Sequence, residues 1–394
     1  MRTLFTLAAI SGLLTFPAAA GAQEPADPKT VLKRLFEAPE LETEWFAPNF
    51  LAQIPAAQIV GVVEDLEKQY GSLQSISGEG QRFTITLERA KIPTRLVLDA
   101  EGRIAGLLFE PAVAAGALAE QVDAITGLPG RTALLVLSNG EERAAHNADV
   151  PLAVGSAAKL AVLKAVADAV SDERLEWDQV VPLDSEWRSL PSGILQDWPD
   201  GTPLTVATLA NLMISISDNT ATDALIKLVG REAVEAVTPR NTPFLTTREL
   251  FTLKADGNEE WRSAWIAGDE EARRDLLEQI ASAPLPGEDA LSTGPTIEIE
   301  WFLSGRELCT LMKEVADLPA LHINPGLAAS KDWREIAYKG GSETGVLNYT
   351  TWLEDAEGTS HCVVATWNNG NAAIEERQLV SSYRGILGAL REGE

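Results

Sequence analysis

From Ile59 the apolar side chains Ile59, Val62, Val63, Leu66 and Tyr70 recur at the spacing of one face of an α-helix, and Gly71 ends the run. The period then changes. Phe83 to Arg89 (F-T-I-T-L-E-R) alternates as a half-buried strand does, and Thr94–Leu98 and Arg103–Phe109 flank Asp99-Ala100-Glu101-Gly102 as the arms of a hairpin. Helices followed by antiparallel strands predict a small α+β module over residues 28–112. An Ala/Gly-rich stretch, Pro111 to Leu118, reads as the join to a second domain over residues 116–394.

In that second domain Arg131–Ser138 (R-T-A-L-L-V-L-S) predicts a strand closed by the turn signal Asn139-Gly140. Near the C-terminus Asn348–Leu353 and His361–Trp367 are strand-like, and Glu375–Leu390 reads as a helix. Strands at both ends with helices between them predict an α/β domain whose first and last strands share one sheet. Ala255–Ala283 is charged and helical, and its composition predicts a solvated insertion. The first module carries no paired carboxylates and no His or Cys cluster, so it reads as a structural or binding accessory. Its pattern resembles the small cone-shaped domains of nuclear-transport-factor-like or cystatin-like type.

Composition narrows the function classes. Of 394 residues 45% are apolar and 23% charged, which excludes disorder, collagen-like repeats and a polytopic membrane protein. The net charge of −26 repels phosphate backbones and acidic lipid headgroups, so no nucleic acid or anionic membrane is expected as partner. Met1-Arg2, an apolar stretch to Phe16, then Pro17-Ala18-Ala19-Ala20-Gly21-Ala22 form a secretory signal, residues 1–22, with cleavage expected after Ala22. The apolar stretch is shorter than the roughly 20 residues that span a bilayer, so no stable membrane span is expected. The location it implies is secreted or periplasmic. Cys309 and Cys362 are the only cysteines, and in an oxidising compartment they are free to pair or not. With His146, His322 and His361 scattered, no metal site and no cofactor are expected.

The candidate chemistry begins at Gly155-Ser156-Ala157-Ala158-Lys159, after strand-like Pro151–Val154 and before the apolar helix Leu160–Val170. Residues i and i+3 at a helix start share a face, which sets a Lys amine beside a Ser hydroxyl. A serine hydroxyl needs an adjacent base, and a lysine serves once burial lowers its pKa. Further on come Ser217-Asp218-Asn219 and Lys339-Gly340-Gly341-Ser342. The ordered triple S-x-x-K, S-D-N and K-[TSG]-G is far more specific than any one member.

With these three motifs the chain resembles the penicillin-recognising serine enzymes, above all the class A β-lactamases, from about Leu118 to Leu390. The context agrees: Pro151-Leu152-Ala153-Val154 before Ser156, Leu204-Thr205 before the helix leading to Ser217, and Gly230-Arg231-Glu232 after it. The resemblance implies an antiparallel five-stranded sheet plus a helical lobe, with the site between them. It implies Ser156 as the acylated nucleophile, Lys159 as its base and Ser217 as proton relay. It further implies Asn219 on the substrate's side-chain amide and Lys339 on its carboxylate. Gly341 would let substrate lie along the strand, with the backbone N–H groups of Ser156 and Ser342 as oxyanion hole.

Two departures stand out. Class A enzymes deacylate with a Glu on an omega loop, yet the corresponding stretch from Val237 has none before Thr246-Thr247. Glu249 follows that pair and reads as a first-turn helix residue. Gly340 replaces the usual Thr or Ser. Loss of a positioned acid/base group slows turnover about 10²–10⁴-fold. The expected substrate is a small-molecule β-lactam or an acyl compound of the cell envelope. D,D-peptidase, esterase and non-turnover sensor readings stay open, as does the oligomeric state.

Overall fold

The computed structural model describes residues 27–291 and 294–393. It divides into two compact units, the first holding the described residues up to Glu88 with Ile92–Glu110, the second Arg89–Lys91 with the rest. The expected leader, residues 1–22, lies outside the described residues.

In the first unit, helix α1 (Pro28–Glu37) starts with Pro at its first position and is capped by the Asp27 carboxylate, which accepts from the N–H of Lys29 and Thr30. Helix α2 (Ala56–Tyr70) ends at Gly71 in a left-handed conformation. Ile59, Val63 and Tyr70 are buried as the spacing predicts, while Val62 stays 39% exposed because it lies at the edge of that face. Strands β1 (Leu73–Glu79), β2 (Arg82–Leu87), β3 (Ala90–Leu98) and β4 (Ile104–Phe109) follow one another across a sheet. In β2 only Phe83, Ile85 and Leu87 are buried, the expected alternation. The β3–β4 turn is held by Asp99, whose Oδ1 accepts from the N–H of Glu101 and Arg103.

The second unit is built on a five-stranded antiparallel sheet. After α3 (Leu118–Thr126) come β5 (Arg131–Ser138), β6 (Glu141–His146) and the two-residue β7 (Leu152–Ala153). The chain then runs through helices α4 (Lys159–Ser171), α5 (Val206–Ser215), α6 (Asn219–Val229), α7 (Arg231–Val237), α8 (Thr247–Lys254), α9 (Glu259–Ala267) and α10 (Glu270–Ile280). It returns by β8 (Phe302–Leu303) and α11 (Gly305–Val315) to β9 (Glu335–Glu343), β10 (Val346–Glu354) and β11 (Ser360–Asn368), and closes with α12 (Glu376–Arg391). The sheet order is β9-β10-β11-β5-β6, so first and last strands do pair, Val136 opposite Val363.

Alternation along these strands feeds two cores. Leu134, Val136, Val363, Ala365 and Trp367 pack with Ile125 of α3 and Leu379, Tyr383 and Ile386 of α12. Leu135, Cys362 and Val364 face the helical lobe, where α4 is buried on nearly every side. Cys309 of α11 and Cys362 of β11 are joined in a disulfide, their Cα atoms 5.9 Å apart.

The segment Ala255–Ala283 is helical, but it is not a solvated insertion. Trp265 of α9 and Leu276, Leu277 and Ile280 of α10 are buried in the lobe's core. Charged residues dominate the composition because they line the outward faces, and the apolar few share the inward one. Among the described residues no helix is long and apolar enough to cross a membrane.

Candidate active site

Strand β7 pairs with β8 and delivers the chain to Ser156 under tight control. Asn368, at the end of β11, brackets Ala153, accepting from its N–H and donating to its carbonyl, both at 2.9 Å. Val154 N–H donates to Trp301 O at 3.0 Å. Gly155 then takes φ +50°, a left-handed turn that glycine adopts at little cost, and a single 3₁₀ turn (Gly155–Ala158) leads into α4. Ser156 is half-buried and Lys159, one turn on, is 2% exposed.

The edge strand β9 passes directly against this turn. A Cβ on Gly341 would sit 2.0 Å from Val154 O and 2.7 Å from Ser156 N, so no larger residue fits there without moving backbone. A Cβ on Gly155 would meet Ser342 N at 3.3 Å. The amide groups of Ser156 and of exposed Ser342 therefore lie on adjoining segments at the sheet edge, one half-buried residue and one open to solvent.

Ser217 comes from the link between α5 and α6. Its φ of +59° is rare for a residue with a Cβ, and it turns the Ser217 carbonyl and hydroxyl together toward Lys159. Asp218 fixes the link: fully buried, it caps α6 through Ala221 N–H at 2.8 Å and accepts from the N–H of Ile194 at 2.7 Å and Leu195 at 3.0 Å. Lys159 Nζ donates to Ser217 O and Asn219 Oδ1, both at 2.6 Å, and reaches Ser217 Oγ at 3.1 Å. Lys339 Nζ donates to Ser217 Oγ at 3.1 Å and to Gly340 O at 2.6 Å.

Burial lowers the Lys159 pKa to about 7, against the pull of Asp223, Asp218 and Glu343. Lys339 is held well below the usual lysine range, by burial first and by the neighbouring Lys159 second. A neutral Lys159 has two N–H groups for the two carbonyl-type acceptors and a lone pair for a hydroxyl proton. The structure thus brings Ser217, Asn219, Lys159 and Lys339 into one hydrogen-bonded cluster, next to the turn that bears Ser156 and the strand that bears Gly341 and Ser342. Asn219 is turned inward: its Oδ1 takes Lys159 and its Nδ2 donates to Leu190 O at 2.9 Å.

The loop after α7 docks onto α6 without offering a carboxylate. Thr247 Oγ1 donates to Asp223 Oδ1 at 2.9 Å, and the N–H groups of Thr247 and Arg248 bond the same carboxylate. Burial raises the Asp223 pKa to about 7 even so. Glu249 completes a capping box with Thr246 and forms a two-pronged ion pair with Arg231, at 2.9 and 2.6 Å. The helix-start role expected of it is the one it has.

Sequence reading missed two features. Asp223 stands one turn beyond Asn219, a spacing that signals a shared helix face but not which side of it is buried. Lys254, Glu300 and Glu343 also meet: Lys254 donates to Glu300 Oε1 and lies 3.6 Å from Glu343 Oε2. Burial pushes the Lys254 pKa down, but Glu300 and Glu343 outweigh it and hold it above the ordinary value. Burial lifts Glu300 to about 7. No local pattern announces a cluster drawn from three distant segments.

Residues 117–265 match the model of the β-lactamase enzyme family. A β-lactamase from Sphaerobacter thermophilus aligns with 22% identity over 70% of this chain and 97% of its own, at a TM-score of 0.50. The second unit has a β-lactamase-like fold. The protein PBP-A aligns at 15% identity (70% and 96% coverage, TM-score 0.47), and a class A β-lactamase from Bacteroides cellulosilyticus at 16% (70% and 97%, TM-score 0.46). No curated protein sequence matches the chain. The β-lactamase-like domain has the expected antiparallel sheet and helical lobe.

Proposed function

We propose that this chain is an exported serine acyl-hydrolase, acylated on Ser156 with Lys159 as general base, acting on a β-lactam or a related amide or ester. The observation that carries the reading is the convergence of Lys159 Nζ and Lys339 Nζ on Ser217 Oγ, each at 3.1 Å, beside the Ser156 turn. A lysine with a pKa near 7 is a base poised for neutral pH. In this reading Lys159 takes the Ser156 hydroxyl proton as Oγ attacks the carbonyl carbon. The Ser156 and Ser342 N–H groups receive the charge that develops on oxygen. Ser217 passes a proton to the leaving nitrogen, and Lys339 attracts the substrate carboxylate. Asn219, with both polar atoms engaged inside the protein, serves to orient Lys159. The signal-like N-terminus and the Cys309–Cys362 disulfide both fit an oxidising compartment outside the cytoplasm.

A second reading keeps the acylation and changes its fate. Glu249 is bound by Arg231 and its own helix start, so it is not placed as the omega-loop base of class A enzymes is. That favours slow release, as in a D,D-peptidase or a penicillin-binding sensor.

Intact-protein mass spectrometry of the chain from Gln23, mixed with a small β-lactam panel and followed over time, separates these. An adduct that forms and clears supports the hydrolase, and one that persists supports the penicillin-binding reading. Ester hydrolysis without any β-lactam adduct moves the substrate to an ester. Activity that survives Ser156→Ala overturns the assignment.

A further inference from the structure

We propose that Glu343 is the carboxylate that activates water to release the acyl group from Ser156, an assignment that rests on the acyl-enzyme reading above. Side chains alternate along β9, so Lys339, Gly341 and Glu343 leave one face and Gly340 and Ser342 the other. Lys339 ends at Ser217 and Gly341 abuts Val154 O and Ser156 N. Glu343 therefore leaves the strand on the nucleophile's side, two residues or about 7 Å past that contact. It is also one of three carboxylates felt by the Lys159 amine.

The rival carboxylates are committed elsewhere. Glu249 is held by Arg231 on both oxygens, and Asp223, 2% exposed, accepts three bonds from Thr247 and Arg248. Glu343 differs from both. Its side chain is 30% exposed, open to water, and its ion-pair partner Lys254 stands off at 3.6 Å. Lys254 is in turn fixed by Glu300, next to Trp301, whose carbonyl anchors Val154 ahead of the nucleophile. The chain segment that positions Ser156 thus also sets the cation that steers Glu343. Among the described residues Glu300 Oε2 is buried with no hydrogen-bond partner.

Glu343 takes one proton from water while the water oxygen bonds to the acyl carbon. The tetrahedral intermediate collapses, breaking the bond from that carbon to Ser156 Oγ, and Oγ receives the proton that Glu343 took, relayed through neutral Lys159. The water's other proton leaves on the product acid, so Glu343 and Lys159 end in the forms in which they began.

The test is intact-protein mass spectrometry of the unmodified chain and Glu343→Gln with benzylpenicillin, stopped at intervals. The expected result is an adduct on Ser156 that forms within a few-fold of the unmodified rate and clears at least about 100-fold more slowly. Hydroxylamine, which needs no base, should clear the variant's adduct. Clearance of the Gln adduct at the unmodified rate overturns the assignment, as does an unmodified chain that never clears its adduct. Absence of an adduct in both proteins instead sinks the acyl-enzyme reading itself. Should circular dichroism show Glu343→Gln unfolded, Glu343→Asp replaces it: clearance slowed at normal acylation supports the role, and unchanged clearance overturns it.

Discussion

Lys159 Nζ and Lys339 Nζ share one hydroxyl, Ser217 Oγ, at 3.1 Å each. Two ammonium groups that close repel one another, so one of the pair is pressed toward its neutral form, and burial presses Lys159 the same way. In the proposed reading a neutral Lys159 is the competent base. Acylation of Ser156 should therefore fall about tenfold per unit as pH drops below about 7 and level off above it. Stopped-flow acylation rates across pH 5–9 check this, and a flat profile contradicts it. The same depressed pKa affects folding with the opposite sign to a salt-bridged lysine. Between about 7 and 10.5 the unfolded chain holds the proton that the folded one has lost, so this group's contribution to stability rises with pH in that window.

Glu249→Gln should leave the clearance of an acyl adduct unchanged while destabilising the domain. The ion pair with Arg231 is largely buried, 12% and 19% exposed, and losing it costs about 1–3 kcal/mol. Thermal unfolding followed by circular dichroism should show a midpoint lower by several degrees. A drop in clearance with stability intact would return Glu249 to the reaction.

Gly341→Ala should impair acylation more than folding. The added methyl meets Val154 O at 2.0 Å, so β9 must back away from Ser156. A shift near 1 Å between reacting groups costs about 100-fold in rate, while overpacking costs about 1–3 kcal/mol. Comparing acylation rate with unfolding midpoint in the same variant tests the ranking.

Reduction, or Cys309→Ser with Cys362→Ser, frees a loop of 53 residues, worth about 4 kcal/mol by loop-closure entropy. The disulfide joins α11 and β11, neither of which supplies a side chain to the Ser217 cluster. Denaturant midpoints should fall while acylation at low denaturant persists.

Periodicity made much of the fold legible. The helix over Ile59–Tyr70, the hairpin at Asp99–Gly102 and the pairing of β5 with β11 all follow from repeats of 3.6 and 2. Ser156, Lys159, Ser217 and Lys339 were visible because each stands in a short motif. What escaped was anything fixed by burial rather than by neighbours in sequence. The inward turn of Asn219 depends on Leu190, the charge of Asp223 on the docking of Thr247, and the burial of Trp265 on a core assembled from remote helices. Glu343 reads in sequence as one more acid in a chain with many. Only the strand's register gives it a side.

Asn368 closes the last strand of the sheet and, with its amide, grips Ala153 just ahead of Ser156. The turn that bears Ser156 is thus clamped by a residue made long after it. In the proposed reading a nascent chain carries Ser156 early but lacks this clamp until the C-terminal strands arrive, so the acylation proposed above waits on the completion of folding.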